Sequence, residues 1–213
     1  MQKWYNNIVI EKGDNMNYNK QKEIFDTESL TWDLKSDITN EPERVVKLSK
    51  INKNMRVLDV GCGTGIMEQS ILYAIGQKGF IKAIDISTGM LAKAKEKFKE
   101  PNIIFEENNI ETIKDSSEYY DVIICNNVFP HFVNPKKVLN NCHRLLKKGG
   151  ILTVSHLKGR NFVNNIHKDT EHFKQEEKVP KAQVWSDFFK TFGFNEVITL
   201  DEENFYIIVM EKI

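Results

Sequence analysis

Histidine suits proton removal near neutral pH, and it also binds metals. His131, His156 and His167 stand in the second half of the chain, beside predicted strand tips and in the segment that follows them. They can converge as substrate-binding or proton-removing groups, hold a metal, or be ordinary polar loop residues. We expect no stoichiometric metal. A carboxylate does other work, since it has acceptors for both hydroxyls of a diol. Asp85 is the carboxylate to consider, because it falls 20 residues after Gly65, the last of three glycines at alternate positions, Gly61, Gly63 and Gly65. Glycine lets a backbone turn sharply and lets a ligand approach it closely.

The surrounding elements must position these groups. Val57, Leu58 and Val60 form a short apolar run that suits a buried parallel strand. Past the glycines, Ile66, Met67, Ile71, Leu72 and Ile75 share a helical face. A strand, a glycine turn and a helix N-terminus make a cradle for a polar, partly anionic ligand. The dinucleotide fingerprint is not met, because the third glycine comes one residue early, and the phosphate-loop ending is absent. Phe80 to Ile84 reads as the second strand with Asp85 at its tip, where a doubly wound fold meets ribose hydroxyls. Ser87 is the expected cap of the next helix.

The elements continue in alternation. Asn102 to Glu106 reads as strand three, and Tyr120 to Asn127 as strand four and its tip. That tip places Asn126, Asn127, Val128, Phe129 and His131 in the site region. Asn134-Pro135 opens a helix, which Lys147-Lys148-Gly149-Gly150 should close as a basic last turn with a glycine stop. Ile151 to Val154 is strand five, and Ser155-His156 ends it. Val184, Trp185, Phe188, Phe189 and Phe192 mark an amphipathic helix before two final strands, Val197 to Leu200 and Phe205 to Met210.

The run Asp-Val-Gly-Cys-Gly-Thr-Gly, residues 59 to 65, resembles the first motif of class I S-adenosylmethionine (SAM) dependent methyltransferases. The entry into strand five, Leu-Leu-Lys-Lys-Gly-Gly-Ile-Leu, matches the same family, and Phe25-Asp26 with Trp32-Asp33 resembles the N-terminal segment of its small-molecule members. The resemblance covers residues 40 to 213 and implies a Rossmann-like α/β fold with seven strands in the order 3-2-1-4-5-7-6, the last antiparallel. It implies SAM as cofactor and S-adenosylhomocysteine as product, with Asp85 on the ribose. The implied cofactor set is Asp59, Gly61, Cys62, Gly63, Asp85, Ile86, Met90, Asn109, Ile110 and Asn126, with His131 and His156 as catalytic candidates. Family members often carry an aspartate where Asn109 stands, and an asparagine carbonyl can still accept from the adenine amine. The Asn/Asp-Pro-Pro-Tyr signature of amino-group DNA and protein-glutamine methyltransferases is absent.

Length and composition agree with that reading. A chain of 213 residues suits one domain, residues 41 to 213, behind an N-terminal extension or lid, residues 1 to 40, with Trp4, Tyr5 and Tyr18 as possible flap residues. Met16 opens a second possible start. The 30 basic and 30 acidic residues cancel, so nucleic acid is not the expected partner. No apolar run reaches the length of a membrane span, and the first residues lack a signal-peptide core. Three cysteines without Cys-x-x-Cys spacing suggest neither a disulfide framework nor a zinc site, and a reduced, cytoplasmic setting is expected. The expected function is methyl transfer to a small molecule by a monomer or homodimer. RNA or protein methylation, or SAM binding without chemistry, are the alternatives.

Overall fold

The computed structural model describes residues 14–30, 41–169 and 178–213, with side chains for 18–30, 41–165 and 178–213. Trp4, Tyr5, Trp32, Asp33 and the side chain of His167 lie outside the described residues. The elements in order are α1 (Asp14–Glu28), α2 (Glu41–Leu48), β1 (Arg56–Val60), α3 (Glu68–Ile75), β2 (Phe80–Asp85), α4 (Thr88–Lys97), β3 (Ile103–Glu107), β4 (Tyr120–Asn126), α5 (Pro135–Leu145), β5 (Leu146–His156), α6 (Arg160–Asp169), α7 (Ala182–Lys190), β6 (Phe194–Asp201) and β7 (Tyr206–Lys212).

The strands form one seven-stranded sheet in the order β3-β2-β1-β4-β5-β7-β6. All neighbours from β3 to β5 pair in parallel, while β7 runs antiparallel to both β5 and β6. Both faces are covered, so successive residues of a strand enter opposite cores. Leu58, Ile123 and Cys125 pack with Val138 and Leu139 of α5 and Trp185 and Phe189 of α7. Val57, Val122 and Ile124 pack with Val45 of α2, Ile71 of α3 and Leu91 of α4. The expected caps form as well. Ser87 Oγ accepts from Met90 N at 3.1 Å, and Asn134 Oδ1 accepts from Lys137 N at 3.0 Å.

One expected boundary is different. Lys147 to Gly150 do not close α5, which ends at Leu145. Leu146 already pairs with Tyr120, and the next pair is Val122 with Ile151, so Lys147 to Gly150 form an irregularity inside β5. The buried Leu146 draws the chain into the sheet before the glycines are reached. Gly149, at φ 71°, then accommodates the extra residues. Residues 160–169, in the segment that follows strand five, form helix α6.

β1 sits between β2 and β4, and the chain leaves it in one direction and returns on the other side. A crevice opens outside the strand tips at such a point. Among the described residues no helix is long and apolar enough to cross a membrane.

Candidate active site

The crevice is a cleft above the tips of β1, β2 and β4. It opens to solvent, with about 1020 Å³ of space outside protein atoms, open solvent included. The glycine loop forms its floor. Gly61 N and Cys62 N donate to Ile84 O at 2.8 and 3.1 Å, which ties the loop to β2. Gly61 lies at φ 70°, and a Cβ there would stand 2.5 Å from Val128 Cγ2. Gly63 lies at φ 56°, yet a Cβ there would meet nothing within 4 Å. The bare backbone of Gly63 lines the cleft, so a ligand can approach it closely.

Asp85 stands at the end of β2 with its carboxylate fixed from two sides. Gly63 N donates to Oδ2 at 2.9 Å, and Ser87 N donates to Oδ1 at 2.8 Å. Burial raises its pKa, and the N–H groups of Ser87, Gly63 and Ile86 oppose that rise without cancelling it. Each oxygen keeps acceptor capacity for a ligand hydroxyl. Ile86, Met90 and Ile110 give the same end of the cleft an apolar lining.

Asn109 and Asn126 also line the cleft, and both are partly committed. Asn109 Oδ1 accepts from Glu111 N at 2.8 Å. Asn126 Oδ1 accepts from Ser155 Oγ at 2.9 Å. Each carbonyl has a second lone pair to offer. Cys62 lines the cleft too, its thiol held neutral because burial pushes its pKa well up.

Two expectations need correction. Asp59 is not a lining residue. It is 1% exposed and sits behind the glycine loop. His156 is not a lining residue either, although it ends a strand whose tip borders the site. It is 2% exposed, pairs in register with Tyr206 of β7 and packs its ring edge-on against that tyrosine with centroids 5.5 Å apart. The antiparallel β7 gives the imidazole an aromatic neighbour away from the cleft. His131 and His156 therefore do not converge on the cleft. His131 alone of the described pair lines the cleft, from the short 3₁₀ turn Phe129–His131. Among the described residues no three metal-ligating side chains come together.

The outer wall comes from α1. Tyr18, Gln21 and Phe25 line the cleft at helical spacing. Gln21 Nε2 donates to His131 O at 2.7 Å, and the Phe25 ring meets the His131 ring edge-on with centroids 5.6 Å apart. Lys22 Nζ donates to Ile86 O at 2.9 Å and pairs with Glu107 at 3.0 Å. Asp26 Oδ1 accepts from Ser87 Oγ at 2.6 Å and from Gly89 N at 3.1 Å. Burial opposes the Asp26 charge, but these two donors and Lys22 outweigh it and hold its pKa below the usual value. Of these residues Tyr18, Phe25 and Asp26 stand out in the sequence. Gln21 does not, and only its place three residues after Tyr18 and four before Phe25 marks it.

The comparisons with known proteins agree with this geometry. Residues 51–206 match the methyltransferase domain family. The chain belongs to that family. The chain is 28% identical over 207 residues to a malonyl-[acyl-carrier protein] O-methyltransferase of Priestia megaterium, covering 92% of this chain and 74% of the relative. It is 36% identical over 116 residues to a ubiquinone/menaquinone biosynthesis C-methyltransferase of Campylobacter jejuni, covering 53% of this chain and 48% of the relative. It spans about half the length of several of the curated relatives that it matches. A SAM-dependent methyltransferase from Aquifex aeolicus shares the fold with a TM-score of 0.71 at 19% identity, over 88% of this chain and 98% of that one. Family and fold imply SAM as the methyl donor. The residues present fit it: bare Gly63 backbone for its amino-acid end, Asp85 for the ribose, and Ile86, Met90 and Ile110 for the adenine.

Proposed function

We propose that this methyltransferase domain transfers the methyl group of SAM to a small-molecule acceptor. The observation that carries the reading is α1, which walls the cleft with Tyr18, Gln21 and Phe25 and leaves the acceptor end bounded by His131 and Phe132. A macromolecular acceptor needs an open groove there. The relatives support the same reading, since they are described as acting in ubiquinone biosynthesis or on a malonyl group held by a carrier protein. The balanced charge gives no net positive charge to draw RNA.

SAM supplies an electrophilic methyl group on a sulfonium. The chain's own part is alignment: holding donor and acceptor in line removes much of the barrier as prepaid entropy. Asp85 fixes one end, the glycine loop supports the other, and α1 excludes water. His131 takes the proton from an acceptor that must lose one, on an imidazole nitrogen, and Phe25 and Gln21 hold it in place. Residues 14 to 30 act in this reading as the described part of a lid, latched by Asp26 to the N-terminus of α4. A reducing compartment such as the cytoplasm suits the three buried free thiols, Cys62, Cys125 and Cys142.

A crystal structure with bound S-adenosylhomocysteine tests this arrangement. The expected result is a closed cavity beside the sulfur, bounded by α1, His131 and Phe132. A displaced α1 and a wide groove at that end would overturn the small-molecule reading.

A further inference from the structure

Two carboxyl groups behind the glycine loop have no part in the scheme above. Asp59 of β1 is 1% exposed, and Glu68, the first residue of α3, is fully buried. Asp59 Oδ2 and both carboxyl oxygens of Glu68 meet no donor at full hydrogen-bond geometry. The two groups lie within hydrogen-bonding reach of each other. With no cation nearby, two neighbouring carboxyls in a low-dielectric interior resist ionising together, so one of them keeps its proton. A single proton between them turns one oxygen into a donor and the other into its acceptor.

The neighbouring groups reinforce the effect. From the tip of β2, Asp85 adds negative charge next to Asp59. The Cys62 thiol of the loop is neutral, and the apolar ring of Phe98, just past α4, stands with Glu68 Oε2 around the place that a Cβ on Gly65 would take. The charges acting on the pair are all negative, and the backbone N–H groups of Val60, Met67 and Glu68 oppose the rise without cancelling it. Burial first, and the partner's charge second, push Glu68 well above the carboxylate range. Burial likewise raises Asp59 to about 7.

We propose that Asp59 and Glu68 share one proton behind the glycine loop, and that seating SAM expels it, so that the pair distinguishes the cationic donor from its neutral product. The proposal rests on the cofactor reading. SAM carries a sulfonium charge and S-adenosylhomocysteine a neutral thioether, and the rest of the two molecules is alike. A cation in front of the loop favours the doubly ionised pair, and the proton leaves to the buffer. The carboxyl pKa is raised in the free protein and falls on binding, so SAM affinity rises with pH. One full proton released corresponds to about tenfold per pH unit. Loss of the methyl group removes that cation. The proton returns, and the product is held less tightly. Glu68 thereby favours donor binding and product release without touching either ligand.

Calorimetric titration tests this directly. SAM and S-adenosylhomocysteine are each titrated into the protein at one pH in two buffers of different ionisation enthalpy, which gives the protons released per ligand bound. The expected result is more release for SAM than for the product in the wild type, and no difference between them in Glu68→Gln. Equal release by the two ligands in the wild type overturns the proposal, whether or not the variant folds. An undiminished difference in Glu68→Gln overturns it as well. Absence of binding by both ligands overturns the cofactor reading and this proposal with it.

Discussion

Replacing His131 with alanine is expected to lower the rate of methyl transfer by about 10²- to 10⁴-fold, for an acceptor that must lose a proton. SAM affinity should be nearly unchanged, because the proposed arrangement gives His131 to the acceptor and Asp85 and the glycine loop to the cofactor. Its position follows from the local fold. Pro130 lies within a single 3₁₀ turn after β4, and His131 N closes that turn on Val128 O at 2.9 Å. Gln21 holds the carbonyl and Phe25 meets the ring. Steady-state kinetics separates the roles. Loss in kcat at unchanged SAM affinity is the signature of a base, and an unchanged rate would return His131 to the ordinary lining of the cleft.

Asp85→Ala should weaken SAM binding by about 2 to 4 kcal/mol, or about 30- to 1000-fold, as two charge-assisted hydrogen bonds are lost. The carboxylate is already oriented by Gly63 N and Ser87 N, so little ordering is left for the ligand to cause. Removing it also leaves two backbone donors without their acceptor in a buried place. Asp85→Asn keeps one acceptor and should fall between. Calorimetry reads all three proteins, and equal affinity in wild type and Asp85→Ala would remove Asp85 from the site.

Local chemistry made the central part of the site legible in the sequence. The glycines, Asp85 and the caps Ser87 and Asn134 act within a few residues of themselves, and all stand where their neighbours in the chain indicate. The strand order followed from a family resemblance carried by the same loop. What the sequence hid depends on distant pairing. His156 ends its strand as expected, but its surroundings are set by Tyr206, brought opposite it only by the antiparallel β7. Gln21 is one polar residue in a polar helix until α1 docks across β4's tip and makes it a partner of His131. Glu68 has no signal of its own, since a glutamate in the first turn of a helix ordinarily faces water and favours the dipole. The packing of α3 behind the loop is what buries it.

The measurement that bears most directly on the central claim is formation of S-adenosylhomocysteine by the purified protein from SAM, with defined acceptors. The acceptors are small carboxylic acids, phenols, amines and activated carbon acids on one side, and transfer RNA and unfolded protein on the other. The cleft geometry predicts turnover with a small-molecule class that depends on both Asp85 and His131. Turnover confined to RNA or protein, or SAM binding without product formation from any acceptor, would contradict it.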